Sequence, residues 1–364
     1  MTTKLFEDIM NEPARLLESL AYTMRAGKPA LQRAAGILRR SAPIYVVGIG
    51  SSWHAGMALE FLFRSQGRPA VLLDASEFLH FTEIPAGATL IVLSRSGQSI
   101  EIVQLLTKYR SSGVTIIGIT NTPDSPLALH AHVVLNLATS FDHQVSICMY
   151  SALAMTGALL ACETNSTLDE GLTAELERSL TGTASAISSW RQQIETSDWL
   201  TKDAPTYFLA RGGSVASCYE ARLLWEEAAK APASALTTGG FRHGPQEMVD
   251  SNLRIGLWID GEKMRTQDLA LANDLRDYGA KVLLIGQDLD RSATDLVLNL
   301  PAIPPRWQFL IDIVPIQIAA ERLAERHGQD CDSFRICSYI VEEEGGLISR
   351  SSHPAGYKSK EVAG

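Results

Sequence analysis

The chain has few cysteines, and none of them is placed for metal or disulfide chemistry. Its 364 residues include five cysteines, with no CxxC pair and no neighbouring histidine at metal-ligand spacing. Structural zinc sites and disulfide frameworks both depend on clustered cysteines. We therefore expect no bound metal, no disulfide and a reducing, cytoplasmic location.

Long runs of one charge are also missing. The formal net charge is −9, and no basic cluster stands out in the sequence. Nucleic-acid binding needs a clustered basic face, so a nucleic-acid partner is not expected. With 46% hydrophobic residues the composition is that of a globular protein. A chain of this length is expected to form two domains.

The sequence favours neither a secretory leader nor a membrane span. Glu7, Asp8 and Glu12 interrupt the apolar residues near the start, which indicates a surface helix rather than an export signal. Residues 143–162 contain no charged side chain and are long enough to cross a bilayer. Their serines and Gln144 lower the hydrophobicity, so a helix buried inside the protein is the preferred interpretation.

The first half alternates short apolar runs with helical patterns. After a helical segment at about 13–40, the predicted strands lie at 44–47, 70–73, 89–93, 114–119 and 133–137. Strands that alternate with helices need crossover connections, which predicts a mainly parallel sheet with helices on both faces. The fold class is therefore expected to be α/β and doubly wound.

The second half shows the same alternation after a polar helix at about 168–198. Its predicted strands lie at 206–210, 253–259, 281–285 and 296–300. Another helix is expected at about 307–323, with Pro315 in its first turn or at a kink. A strand, a Gly/Ser turn and a helix follow one another in both halves, which favours two similar domains. The predicted organisation is a helical segment at 1–40, a first domain at 41–165, a connector at 166–200, a second domain at 201–340 and a tail at 341–364.

Two turns rich in glycine and serine are the most informative local feature. Residues 48–52 (Gly-Ile-Gly-Ser-Ser) and 94–99 (Ser-Arg-Ser-Gly-Gln-Ser) each follow a predicted strand and open a helix. Unpaired N–H groups at a helix start, together with nearby hydroxyls, can bind a phosphoryl group without a metal. The sequence therefore predicts a phosphate site. Ordinary helix caps are the alternative.

Part of a dinucleotide-binding fingerprint overlaps the first turn. Gly48 and Gly50 match its first two glycines, and Asp74 follows at a distance suited to a ribose hydroxyl. Trp53, however, stands where the third glycine belongs. A nicotinamide-dependent enzyme stays open as an alternative, although it leaves the serines of the second turn unexplained.

Glu227 and His243 are the candidate acid–base pair. Glu227 lies on a helix predicted at about 216–230, and His243 lies in a short loop further along the chain. A carboxylate and an imidazole at one cavity can move carbon-bound and oxygen-bound protons, as aldose–ketose chemistry requires. A solvated helix glutamate and a structural loop histidine are the alternative.

Taken together, these segments resemble the isomerase half of glucosamine-6-phosphate synthase, which is built of two sugar isomerase (SIS) domains. The resemblance covers about residues 30–340. It rests on the two turns, on Ala-Ser-Glu-Phe at 75–78, on the helix from Glu220 to Glu227 and on Arg-His-Gly-Pro at 242–245. It implies two similar flavodoxin-like SIS domains, each a mainly parallel sheet flanked by helices. The glutaminase half of the synthase is not expected in this chain.

The resemblance also implies roles for particular residues. Glu227 would be the base that moves a proton between C1 and C2 of the sugar, and His243 would open the sugar ring. The implied phosphate site consists of Gly50, Ser51, Ser52, Ser94, Arg95, Ser96, Gln98 and Ser99. Further candidates for the sugar pocket, with core packing or solvation as the alternative, are Trp53, His54, Glu220 and Arg242. In this family the histidine loop often completes the site of a neighbouring subunit, which implies a homodimer with a shared active site.

The second turn departs from the family pattern at two positions. Arg95 stands in place of a glutamine, and Gln98 stands in place of a glutamate. Both changes make the pocket more cationic, which suits a different anion or sugar. Phosphate binding is still expected.

Lysines of the family are missing from this chain. Leu224, Tyr339 and Met149 stand at positions of three family lysines, and the one at Tyr339 forms a Schiff base in the synthase. Imine chemistry through that lysine is therefore not expected here. Lys358 and Lys360 in the tail are candidate substitutes, with a solvated tail as the alternative.

The sequence thus predicts a phosphosugar enzyme without a cofactor. Its expected substrate is a ketose or aldose 6-phosphate or an amino-sugar 6-phosphate, which it isomerises or deaminates through an enediol or enolamine intermediate. A fructosamine-6-phosphate deglycase is one alternative, because the glutamate and histidine are kept without the lysine. A non-catalytic sugar-phosphate sensor is the other, and the missing lysines are the argument for it.

Overall fold

The computed structural model describes residues 2–200, 203–290 and 296–346. Two parallel five-stranded sheets, flanked by helices, form its centre. The predicted α/β class is therefore confirmed. The predicted boundaries of the domains and of the tail stay a prediction.

Two helices precede the first sheet, where the sequence predicted one segment at 13–40. They are α1 (Lys4–Met24) and α2 (Lys28–Leu38). The break lies between them, where Gly27 precedes a helix that has proline in its first turn. Proline is tolerated there because first-turn N–H groups have no helical partner. The apolar pattern continued across the break, so it concealed the division.

The first sheet is made of strands at the expected places. Its elements are β1 (Ile44–Gly48), α3 (Ser51–Ser65), β2 (Val71–Asp74), α4 (Ala75–Phe81), β3 (Thr89–Leu93), α5 (Ile100–Tyr109), β4 (Thr115–Thr120), α6 (Pro126–His130) and β5 (Val133–Asn136). The strand order is β2-β1-β3-β4-β5, and every pair is parallel. The order reverses between β1 and β3, which is the point where open parallel sheets bind ligands.

Two long helices connect the sheets. They are α7 (Cys148–Thr164) and α8 (Glu170–Thr196). Every residue of α7 except Glu163 is buried, so the uncharged stretch is an interior helix from Cys148 onward, as predicted, whereas residues 143–147 precede the helix. Among the described residues no helix combines the length and apolar character needed to cross a membrane.

The second sheet has the same strand order as the first. Its elements are β6 (Thr206–Ala210), α9 (Val215–Glu227), β7 (Ala233–Thr237), α10 (Thr238–Phe241), β8 (Arg254–Trp258), α11 (Arg265–Asp277), β9 (Lys281–Gly286) and β10 (Leu296–Asn299). The order is β10-β9-β8-β6-β7. Strand β7 was not predicted, because its sequence, Ala-Ser-Ala-Leu-Thr, contains only one large apolar residue.

The helix expected at 307–323 begins later than predicted. Residues Pro305–Leu310 form a 3₁₀ helix, and α12 (Val314–Arg326) follows with Pro315 in its first turn. Helices α7 and α9 both pack against α3. This packing brings the end of α9, from the second half, beside the turn that begins α3 in the first half.

Candidate active site

A cavity of about 240 Å³ lies at the carboxyl ends of β1 and β3. It is bordered by the β1–α3 turn, the β3–α5 turn, the end of α9 and a segment that follows α12. Both halves of the chain therefore contribute to it. The cavity is lined by Ile49, Gly50, Ser51, Ser52, Ser94, Arg95, Ser96, Ser99, Glu101, Ser146, Leu223, Glu227, Phe334, Cys337, Ser338, Tyr339, Ile340 and Val341.

The β1–α3 turn brings the start of a helix to the cavity. Gly50 directly precedes α3 and has a φ of 56°, an angle that glycine adopts without steric cost. Ser51 and Ser52 are the first residues of α3, and they line the cavity beside it. First-turn N–H groups carry partial positive charge. This end of α3 therefore suits an anionic group.

The β3–α5 turn holds hydroxyl groups that are able to donate. Ser94 Oγ accepts a hydrogen bond from the Gly97 N–H at 3.0 Å, and Ser96 Oγ accepts one from the Gln98 N–H at 3.3 Å. A hydroxyl that accepts a backbone N–H keeps its own proton for another acceptor. Ser99 precedes α5 and does not cap it with its side chain. The turn can therefore offer O–H donors to a phosphoryl group.

Ser51 differs from these serines, because its proton already has an acceptor. Its hydroxyl donates to Glu220 Oε1 at 2.9 Å, and Glu220 Oε2 lies 2.7 Å from His54 Nδ1. The side chains of His54 and Glu220 are 2% and 1% exposed. Both are therefore packed in the interior, where they connect α3 with α9.

Glu227 is the last residue of α9 and lines the same cavity as the serines of both turns. Burial raises its pKa to about 8, and the carboxylate of Glu220 adds to the rise. The cationic side chains of Arg95 and Lys230 act in the opposite direction. A carboxyl with a pKa near 8 changes its protonation state close to neutral pH, which suits a proton-transfer group.

The segment of residues 334–341 runs along the cavity. The Arg95 guanidinium lies 4.1 Å from the centre of the Tyr339 ring, and its Nη2 donates to the Tyr339 carbonyl oxygen at 2.7 Å. The Val341 carbonyl oxygen accepts the Ile100 N–H at 3.0 Å. The segment therefore contacts the turn and the helix start on which the predicted phosphate site depends.

Six predicted site residues do not line this cavity, namely Gln98, Trp53, His54, Glu220, Arg242 and His243. Arg242 and His243 are exposed after α10, and Arg242 borders a separate cavity together with Phe241. Trp53 packs edge-on against Tyr219, with ring centres 6.0 Å apart. The role of His243 stays a prediction, which requires its loop to reach the site of a second subunit.

Several cavity residues were not predicted from the sequence. Glu101 follows the serine turn within the first turn of α5, and burial raises its pKa above the ordinary range. Ser146 lies just before α7, and Leu223 lies one helical turn before Glu227. The segment 334–341 had an available signal, since six of its eight residues are hydrophobic.

The residues that stand where the resemblance places family lysines lie in two different environments. Leu224 and Met149 are buried in the apolar core, and Tyr339 lines the cavity. Lys358 and Lys360 lie outside the described residues. Within residues 2–200, 203–290 and 296–346, no group of His, Cys, Asp and Glu side chains is arranged to hold a metal ion.

The corresponding turn of the second sheet is filled by the protein itself. The Ser214 hydroxyl donates to Asp312 Oδ2 at 2.6 Å. A Cβ added to Gly213 would lie 3.0 Å from Phe309 and 3.2 Å from Phe61. Side chains therefore pack where the first sheet has its cavity.

The first sheet matches a known protein family. A family model described as the SIS domain matches residues 37–162. Residues 37–162 form an SIS domain. This SIS domain contains both serine turns, so the serines of the cavity all belong to it apart from Ser338. The family model covers the first sheet and not the second.

Relatives and solved structures extend the similarity beyond the SIS domain. Glutamine–fructose-6-phosphate aminotransferase (isomerizing) of Sulfolobus acidocaldarius is 27% identical over 315 residues, which cover 84% of this chain and 51% of the relative. The chain therefore spans about half the length of this homologue. The C-terminal domain of glucosamine-fructose-6-phosphate aminotransferase from Francisella tularensis has a TM-score of 0.82 at 20% identity, covering 91% of this chain and 98% of that one.

A second solved structure has the same fold. Tagatose-6-phosphate ketose/aldose isomerase from Escherichia coli matches with a TM-score of 0.77 at 20% identity, covering 91% of this chain and 95% of that one. At this identity the likeness concerns the fold. Because these matches cover nine-tenths of the chain, the likeness includes the second sheet as well as the SIS domain.

Proposed function

We propose that the protein is an enzyme that acts on a ketose or aldose 6-phosphate or on an amino-sugar 6-phosphate. The observation that carries this proposal is the presence of the serine turns and the Glu227 carboxyl in one cavity. A phosphate binds at one end and a proton is moved at the other. The homology to an isomerizing aminotransferase supports the same class of substrate.

In this proposal the phosphate lies between the starts of α3 and α5. Ser94, Ser96 and Ser99 donate O–H bonds, and the N–H groups at the start of α3 add partial positive charge. Hydrogen bonds to a charged acceptor are about twice as strong as those between neutral groups. Binding of the phosphate through these donors needs no metal.

Glu227 acts on the other end of the sugar. Its carboxylate takes a proton from C1 or C2 of the open-chain sugar while the carbonyl oxygen is protonated, an enediol or enolamine forms, and the proton returns to the neighbouring carbon. The enediol then loses a hydroxyl proton to give the isomeric carbonyl, whereas the enolamine gives an imine that water hydrolyses to a ketose and ammonia. The pKa of Glu227 is about 8, so the basic form becomes more abundant as the pH rises through that value. Turnover is therefore expected to increase with pH over this range.

The proposal includes a second SIS domain and a homodimer. The second SIS domain is supported by the second sheet, because its strand order is the same as that of the first sheet. The homodimer is supported by the exposed position of His243. A histidine that opens the sugar ring has to reach the cavity, and His243 of the partner subunit is the candidate.

Substrate identification is the first test. The purified protein is incubated with fructose 6-phosphate, glucosamine 6-phosphate or a fructosamine 6-phosphate, and hexose phosphate, ammonia and free amine are followed. Conversion of either of the first two supports the proposal. Release of amine from the third alone indicates a deglycase, and binding without conversion of any of them indicates a sensor.

Replacement of the proposed base is the second test. Glu227→Gln keeps the size of the side chain but removes the base, so turnover should fall about 10²- to 10⁴-fold while ligand affinity is kept. Glu226→Gln controls for the loss of one negative charge at the end of α9, because Glu226 pairs with Arg222 and does not line the cavity, and the turnover of this variant should stay within about tenfold of the unchanged protein. Near-normal turnover of Glu227→Gln would refute the assigned role.

The shared site can be tested with mixed dimers. Glu227→Gln and His243→Ala are each expected to be inactive on their own. In a mixed dimer of the two variants, one site would combine an intact Glu227 with an intact His243 of the partner subunit, and activity should return. If both residues act within one chain, neither site of the mixed dimer is intact and activity stays absent.

One observation favours a sensor as the second candidate. Among the described residues no lysine lines the cavity, and the side chains at two former lysine positions, Leu224 and Met149, are buried. A site that lacks the imine-forming group keeps its capacity to bind. Retention of Glu227 in the cavity is the argument for catalysis, because a site that only binds has no need of a base.

A further inference from the structure

Arg95 lines the cavity, and its side chain contacts Tyr339, which is 244 positions further along the chain. It lies in the serine turn, yet its guanidinium is directed at the segment 334–341. One Nη group donates to the Tyr339 carbonyl oxygen, and the guanidinium lies over the Tyr339 ring. A guanidinium that both stacks on an aromatic ring and donates to a carbonyl has a fixed position.

Tyr339 is held from the other side as well. Its hydroxyl lies 3.4 Å from the Asp142 carbonyl oxygen, to which it donates. Two residues later, the Val341 carbonyl oxygen accepts the Ile100 N–H, the first of α5. Together with the contacts of Arg95, these hydrogen bonds attach the segment 334–341 to the first half of the chain at both Tyr339 and Val341.

We propose that Arg95 is a positioning residue that, together with Tyr339, fastens the segment 334–341 along the cavity and places a fixed positive charge beside Glu227. Arg95, Tyr339 and Glu227 line the same cavity. Among the described residues that line the cavity, Arg95 is the cationic side chain. The catalytic consequence of this arrangement rests on the proposed function, whereas the fastening does not.

The charged groups around Glu227 agree with this arrangement. Glu220 and Glu226, both on α9, disfavour its ionised form, whereas Lys230 and Arg95 favour it. The Lys230 ammonium is engaged by the carbonyl oxygens of Glu227, Asp330 and Ser333. Arg95 is the cation on the other side of the cavity, so its removal should make Glu227 harder to ionise.

The fastening is tested by amide exchange. In Arg95→Gln the Ile100 N–H should exchange about tenfold faster, because loss of the Arg95 contacts frees the segment whose carbonyl accepts it. Residues 330–333, which Lys230 holds, should exchange as in the unchanged protein. Arg64→Gln is the matched control, since it removes a guanidinium that lies over the Phe61 ring away from the cavity.

The effect of the Arg95 charge on Glu227 is tested by NMR, by following the chemical shift of the Glu227 carboxyl carbon as the pH is changed. The signal is assigned by its absence from the spectrum of Glu227→Gln. Arg95→Gln should raise the pKa of Glu227 by roughly 1 unit, and Arg95→Lys, which keeps the charge, should restore most of the difference. Thermal unfolding of each variant checks that the fold is kept. An unchanged pKa, or unchanged exchange at Ile100, would overturn the proposal.

A competing role for Arg95 is also testable. If Arg95 leaves Tyr339 in order to bind phosphate, inorganic phosphate added to the unchanged protein should accelerate exchange at Ile100, and this result would overturn the proposal as well. None of these measurements requires turnover. If the exchange and titration results are as expected but no sugar phosphate is converted, the inference stands and the proposed function fails.

Discussion

At the scale of single residues, the serines of the cavity are not equivalent. The Ser96 hydroxyl accepts a backbone N–H, so its own O–H stays available to donate, whereas the Ser51 O–H already donates a hydrogen bond to Glu220. A phosphoryl oxygen can therefore accept from Ser96 without any rearrangement. For Ser51 to donate to a ligand, its bond to a buried carboxylate would first have to break.

This difference leads to a prediction about two matched substitutions. Ser96→Ala should weaken binding of a sugar 6-phosphate about 10- to 100-fold, since a hydrogen bond to a charged group contributes about 1.5–3 kcal/mol. Ser51→Ala should chiefly lower the free energy of unfolding, because it leaves a buried Glu220 oxygen without its donor. Calorimetric titration and urea unfolding of both variants separate the two effects. Equal losses of affinity would contradict the assignment.

The serine turns could be predicted from the sequence because each is a local pattern, whereas Glu227 was one candidate on a helix until the family resemblance implied its role. A turn after a strand and a glutamate on a helix are visible within about ten residues. The bond between Ser51 and Glu220 joins residues 169 positions apart, so no local pattern contains it. The burial of His54 beside Glu220 was hidden for the same reason.

At the scale of secondary-structure elements, the serine turn depends on one glycine. Gly97 has a φ of 65°, and a Cβ added there would lie 2.7 Å from Ser125 Cβ. Gly87 also has a positive φ, of 86°, but an added Cβ would meet no other atom within 4 Å. Gly97 therefore faces both a backbone constraint and a steric one, and Gly87 faces only the first.

We therefore expect Gly97→Ala to be the more damaging of the two substitutions. It should lower the free energy of unfolding by about 2–4 kcal/mol, from the backbone strain and the overlap together. Gly87→Ala should cost about 1–2 kcal/mol, from the strain alone. Urea unfolding of both variants measures the difference. A similar loss in the two would show that Ser125 moves aside without cost.

The elements that were not predicted share a physical reason. Strand β7 contains small residues, and the segment 334–341 has no regular secondary structure. Periodicity identifies an element when it buries one face of apolar side chains, as in β5 or α5. The segment 334–341 is ordered by contacts with distant residues such as Arg95, and these contacts have no sequence period.

At the scale of the whole molecule, the interior holds several carboxyl groups. Glu12 and Asp312 are fully buried, and Asp142 is nearly so. Burial raises the pKa of Glu12 to about 8, that of Asp312 to about 7 and that of Asp142 to about 6. In this pH range the folded protein retains protons that the unfolded chain has released.

Stability should therefore fall as the pH rises from about 6 to about 8.5, because protons bound only by the folded state are lost in that interval. In Glu12→Gln the fall should be smaller, since one of these protons is replaced by an amide. Glu7→Gln, an exposed glutamate on the same helix, is the control. Urea unfolding at the two pH values measures the change. An equal fall in Glu12→Gln would contradict the raised pKa.

The overall architecture was the most predictable part of the molecule. Alternating strands and helices, such as 44–47 followed by the α3 pattern, indicated parallel sheets, and two such sheets are present. The meeting of α9 with α3 at one cavity was expected only through the family resemblance. It depends on packing between halves, which follows from the shapes of buried faces rather than from any single segment.

The turn of the second sheet that corresponds to the β1–α3 turn is packed with side chains. Gly213 and Ser214 stand where the first sheet keeps its ligand space, but they touch Phe309 and Asp312 instead. The two sheets therefore contribute differently to the cavity: the first supplies both serine turns, and β6 of the second is followed by α9, which ends with the Glu227 carboxyl. Substitutions at Gly213 or Ser214 are consequently expected to change the free energy of unfolding rather than the cavity, which neither residue lines.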